Sequence, residues 1–156
     1  MMINSDLAQT AHHRCAVRSG FSLLELLITI AVIAIIASIA IPSWKAHLLA
    51  SRRTEAVSLL LHVANRQEQF RLQKQRYAIT DELTARPPTG LGILNPGEHY
   101  ILTASASDQN FTAYAAVDST GKQADDLECW LFGIDETGRR WSESQTGKIT
   151  TTRCWY

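Results

Sequence analysis

Hydrophobic and polar positions divide this chain into three stretches with different periods. Residues 23–41, LLELLITIAVIAIIASIAI, are apolar almost without interruption, and residues 26–41 carry no charged side chain. Nineteen such residues, wound as an α-helix, span roughly 28 Å, close to the hydrocarbon thickness of a bilayer. A core helix would show a polar stripe, and Thr29 and Ser38 are too few to draw one. The pattern predicts a membrane-spanning helix.

From residue 43 to about residue 77 there is no Pro or Gly, and helix formers dominate. At 100° per residue, Ala56, Leu59, Leu60, Val63 and Phe70 share one side, and Ser51, Ser58, His62, Asn65 and Gln69 share another. A second, thinner apolar strip holds Val57, Leu61 and Leu72. Either the first strip packs under a sheet while the second meets neighbouring molecules, or both belong to one core. Joined to the apolar run, residues 21–77 predict a helix roughly 85 Å long, with Pro42 as its bend.

Residues 80–98 change character: Pro87-Pro88, Gly90, Gly92 and Asn95-Pro96-Gly97 are turn chemistry. Alternation follows. Tyr100, Leu102, Ala104 and Ala106 share one face of a strand over 99–106, and Phe111, Ala113, Ala115 and Val117 share one over 111–117. Ser107-Asp108-Gln109-Asn110 fits a hairpin loop between them. Residues 128–134 predict a third strand, which Thr137-Gly138 turns toward 139–141. The expected fold is α+β: an antiparallel meander lying on the second half of one long helix.

Charge sharpens this division. Residues 42–79 hold seven Lys/Arg against two acids, and residues 80–156 hold six against eleven, so a neutral chain has a basic middle and an acidic end. An acidic head argues against nucleic acid as a partner. Asp125, Asp126 and Glu128 read as a solvated acidic loop in preference to a calcium site. Cys129 and Cys154, with neither zinc spacing nor nearby histidines, suit a bridge if this end is exported and two free thiols if it is not. A bridge closing that loop would contribute roughly 3.5 kcal/mol by chain entropy. The positive-inside count is undecided, since Arg14 and Arg18 precede the apolar run and Lys45, Arg52 and Arg53 follow it.

Two details suit neither a plain anchor nor an ordinary signal peptide. The small-residue junction Ser19-Gly20 precedes the apolar run, whereas a signal peptide is cut after it. Glu25 lies inside the run, where a carboxylate costs up to about 2.5–3.5 kcal/mol and needs either a partner or a route to water.

The stretch Gly20-Phe21-Ser22-Leu23-Leu24-Glu25-Leu26, followed by an apolar helix, resembles the type IV prepilin signature. Pro42 stands where pilins commonly carry a helix-bending proline. The resemblance implies a type IV pilin fold, cleavage by prepilin peptidase between Gly20 and Phe21, and N-methylation of Phe21. It implies that Glu25 pairs with the Phe21 amine of a neighbouring subunit during assembly. His12, His13, Arg14, Cys15 and Arg18 would leave with the leader, which argues against a metal site there. Later segments are similar to minor pilins of the PilE type: Ser51-Arg52-Arg53-Thr54-Glu55-Ala56, Arg76-Tyr77-Ala78, Tyr100-Ile101-Leu102-Thr103-Ala104, Phe111-Thr112-Ala113 and the Cys129 to Cys154-Trp155 ending. Trp44 and His47 stand where many pilins have tyrosines.

On this reading, residues 1–20 are a cleaved leader, 21–42 a membrane and filament-core half-helix, 43–79 an amphipathic half, and 80–156 a β head closed by a Cys129–Cys154 disulfide. Partners would be prepilin peptidase, other pilins, the inner-membrane assembly machinery and inner-membrane lipid. The head would face the periplasm before assembly and the cell exterior afterwards. No P-loop, His-Glu-x-x-His or Gly-x-Ser-x-Gly is present, so no catalytic residues, metal or cofactor are expected. A minor pilus subunit supporting pilus biogenesis, twitching motility and adhesion leads, followed by a type II secretion pseudopilin. A DNA-uptake competence pilin comes last because of the head's charge.

Overall fold

The computed structural model describes residues 21–93 and 97–155. The chain divides into two units, Met1–Ala40 and Ile41–Tyr156. In the first, every described residue from Leu23 onward is helical and none is buried. The leader, with Gly20, lies outside the described residues, as do Asn95 and Pro96 of the predicted turn.

Helix α1, Leu23–Lys74, includes Pro42 among its residues. It ends three residues before the predicted limit. Gln75 N–H still bonds the Arg71 carbonyl at 2.8 Å, but Gln75 itself turns left-handed at φ 60°. That turn sends Tyr77 and Ala78 into the core, 1% and 0% exposed. Gln67, fully buried on the same helical face, completes the reversal. Its Nε2 donates to the Ala78 carbonyl at 2.7 Å, and its Oε1 accepts from Ala78 N–H at 2.8 Å. One side chain thus satisfies both backbone groups that leaving the helix stranded.

The predicted strip of Ala56, Leu59, Leu60, Val63 and Phe70 is the helix's contribution to the core. The second strip divides: Val57 packs against that core, whereas Leu61 and Leu72 are exposed. The reading that buries both strips is therefore excluded for those two leucines.

Strands β1 (Tyr100–Ala106), β2 (Phe111–Val117), β3 (Leu131–Asp135) and β4 (Arg140–Glu143) form one antiparallel meander in sequence order. The inner row Leu102, Ala115, Phe132 and Ser142 runs straight across it. Strand β3 starts later than the predicted 128, because the Cys129 amide is spent on the Asp126 carboxylate at 3.3 Å. On the outer face Tyr114, Gly133 and Trp141 share a row, with the Tyr114 and Trp141 rings edge to face at 5.9 Å. A Cβ at Gly133 would fall 2.3 Å from the Trp141 ring, so only glycine leaves room for that indole.

The turn-rich stretch is more than a connector. Leu83, Leu91 and Ile93 enter the core, held by backbone bonds from Leu91 to Glu82 and from Ile93 to Leu83, each 2.9 Å. Thr80 Oγ1 bonds both the N–H and the carbonyl of Ala104, which covers part of the free edge of β1.

Candidate functional site

Two places combine unusual chemistry with unusual exposure. The first is the apolar part of α1, a stretch long and apolar enough to cross a membrane and without a buried residue. This is a membrane-spanning helix near the N-terminus. Its two hydroxyls are satisfied internally, Thr29 on the Leu26 carbonyl at 2.8 Å and Ser38 on the Ile35 carbonyl at 2.7 Å, so neither spoils the apolar surface. Glu25 sits in the first helical turn, where the helix dipole favours a carboxylate. Among the described residues no side chain pairs with it. Phe21 leads the described chain, 82% exposed.

The second place is a polar joint between α1 and the segment linking β2 to β3. Arg53 grips Asp126 with two bonds, Nε to Oδ2 at 2.7 Å and Nη2 to Oδ1 at 2.8 Å. Asp126, 2% exposed, also accepts from Gln123 Nε2 at 2.8 Å and from the Cys129 amide. Gln123 Nε2 reaches the Leu49 carbonyl as well, at 3.3 Å, and Arg52 Nη1 donates to the Lys122 carbonyl at 2.9 Å. The predicted solvated acidic loop is thus wrong at its central residue. Asp126 is buried because a fork-shaped cation and an amide supply the bonds that water would. Burial first, and then the nearby Asp126 charge, push the pKa of the Tyr100 phenol upward, so it stays protonated.

Further joints secure the remaining segments. Glu55 accepts from the amides of Glu98 and His99 at 2.6 and 3.2 Å and lies 2.8 Å from His99 Nδ1. Burial opposes the Glu55 carboxylate, but these hydrogen bonds outweigh it and hold the pKa below the ordinary value. Gly97, at φ 106°, lets the chain pass this close, since a Cβ there would meet Glu55 Oε1 at 2.8 Å. Glu82 pairs with Arg76, which lowers the Glu82 pKa. The Cys129–Cys154 disulfide ties the last helix, α2 (Thr151–Cys154), to the residue pair preceding β3. Both cysteines are fully buried, Arg153 pairs with Glu128, and Trp155 Nε1 donates to the Trp141 carbonyl at 2.6 Å.

Residues 42–132, more than half of the chain, match the family described as type IV minor pilin ComP, DNA uptake sequence receptor. The chain belongs to that family. Residues 15–41 of this pilin match the prokaryotic N-terminal methylation motif. Among solved structures it is similar to a type IV pilin from Shewanella oneidensis, at 18% identity and a TM-score of 0.45, covering 69% of this chain and 98% of that one. No curated protein matches it. The pilin resemblance, the α+β fold, the membrane helix, the methylation motif and the disulfide all stand.

Sequence reasoning missed Gln67, Gln123 and Asp126 as joints of this pilin's head. Gln67 was legible, since the helical period puts it beside Val63 and Phe70 on the core face. Gln123 and Asp126 carried no such sign, because their partners on α1 lie some seventy residues away.

Proposed function

We propose that this chain is a minor subunit of a type IV pilus and that its filament serves DNA uptake. One observation carries the reading: the family match over residues 42–132, whose description names a DNA uptake sequence receptor. This reverses the order expected from charge, in which a competence pilin ranked last. The formal charge misleads because two acids of the acidic segment, Asp126 and Glu82, are neutralised by Arg53 and Arg76 of the basic one. Their charges therefore do not belong to a uniformly acidic surface.

The maturation steps belong to the same proposal. Prepilin peptidase cuts between Gly20 and Phe21, the Phe21 amine is methylated, and Glu25 meets that amine on a neighbouring subunit. Support comes from the methylation-motif match and from an exposed carboxylate in the first turn of an apolar helix. Docking would remove the cost of keeping that charge alone near lipid. The role is structural and ligand-binding, without catalysis. The unassembled subunit sits in the inner membrane with its head in the periplasm.

Filter binding tests the DNA reading. The fragment from Lys45 onward keeps the whole core, which lies between Ala56 and Cys154. It should retain double-stranded DNA at low salt and release it as salt rises. No salt-sensitive retention overturns the DNA reading and leaves a pilus-building role in biogenesis, motility and adhesion. Secretion substrates trapped in a deletion strain would instead point to a pseudopilin.

A further inference from the structure

A short stretch of bare helix separates the apolar run from the first contact of the head. That first contact is the 122–123 segment, which bonds α1 at Leu49 and Arg52. Residues 42–48 are all exposed. Among them Trp44 leaves 70% of its surface open, whereas Trp130, Trp141 and Trp155 are half-buried in the head. Among the described residues no acceptor meets the Trp44 indole N–H. Lys45 follows it directly.

Distance along the helix decides what covers this stretch. At 1.5 Å per residue, Trp44 lies about 4.5 Å past Ile41, the last residue of the apolar run, and Leu49 lies about 12 Å past it. The headgroup layer on one side of a bilayer is about 5–8 Å thick. Trp44 therefore falls inside that layer, and the head first touches the helix just beyond it. An indole has an apolar body and one polar donor, which suits this boundary, and a lysine stem can lie along it with its ammonium in the phosphates.

We propose that residues 42–48 are the headgroup-layer segment of the membrane-bound subunit, with Trp44 as its depth anchor and Lys45 directed to lipid phosphate. The occupant of this bare helix is thus the phospholipid headgroup layer. The proposal rests on the membrane-anchored pilin reading and adds where that anchor stops.

The test uses the full chain in phosphatidylcholine nanodiscs whose lipids are brominated either near the headgroup or near the chain end. Shallow bromines should quench tryptophan fluorescence about twofold or more over deep ones, and Trp44→Phe should abolish that difference. Equal quenching in wild type and Trp44→Phe overturns the proposal, as does stronger quenching by deep bromines. If a second copy covers the stretch instead, lipid quenching is absent and Trp44→Cys chains cross-link as dimers, which also overturns it. A chain that never enters the discs overturns the anchored reading together with the proposal, whereas the tryptophan outcomes touch the proposal alone.

Discussion

The two parts of helix α1 obey one local rule and solve opposite problems. Over residues 23–40 no apolar side chain is buried, and all but Ala37 are exposed. Over residues 56–70 a single stripe is buried, Gln67 with it, and Ser58, His62, Asn65 and Gln69 on the other side are exposed. A helix that buries its own stripe takes its stability from the domain, at about 1.5–3 kcal/mol per large side chain. A helix exposed all round takes nothing from its own chain and must find lipid or other helices. Insertion and assembly are therefore built into the first part, and a stable head into the second.

Four measurements can break or sharpen that contrast. The largest effect is expected at the polar joint. Asp126→Ala removes the buried carboxylate that Arg53, Gln123 and the Cys129 amide all bond, and should lower head stability by about 3–5 kcal/mol, read by thermal unfolding of the full chain in detergent. An unchanged midpoint would mean that the joint contributes nothing. Close behind, Leu60→Ala should cost about 2–5 kcal/mol, while Ile33→Ala should leave the same unfolding transition unmoved. Equal shifts would erase the distinction between the two helix parts.

Cys154→Ser comes next. Loss of the bridge should cost about 3 kcal/mol and open the C-terminal tail to proteases, because α2 is then held by hydrogen bonds and one exposed ion pair. Proteolysis at the wild-type rate would contradict this.

The smallest effect is with pH. Glu55 and Glu82 are both depressed below their ordinary value of 4.5 by the groups that bond them. A depressed carboxylate contributes stability above its unfolded pKa and loses it as pH falls through its folded one. The head's unfolding midpoint should therefore drop as pH falls below about 4.5. The drop should shrink in a Glu55→Gln, Glu82→Gln double variant, whereas the same drop there would assign it to other carboxylates.

Much of the fold was legible because it is written in short periods. The three-to-four-residue repeat of Ala56, Leu59, Leu60 and Val63 defines a buried helix face whatever it packs against. The two-residue alternation from Tyr100 and from Phe111 likewise defines one inner face of a sheet. Even there boundaries moved, since Gln75 could end the helix only because Gln67 was placed to receive Ala78. The acidic loop was misread for the same reason. Nothing within ten residues of Asp126 says that Arg53 will reach it.

By itself the sequence determined the apolar span, the amphipathic helix after it, the meander and the N-terminal methylation motif, all of which are local or periodic properties of the chain. Only the tertiary structure decided which charges cancel, which glutamines act as backbone partners, and why position 133 must be glycine under Trp141. Those are contacts between residues far apart in the chain, chosen by complementary shape and hydrogen bonding, and no pattern along the sequence encodes which two will meet.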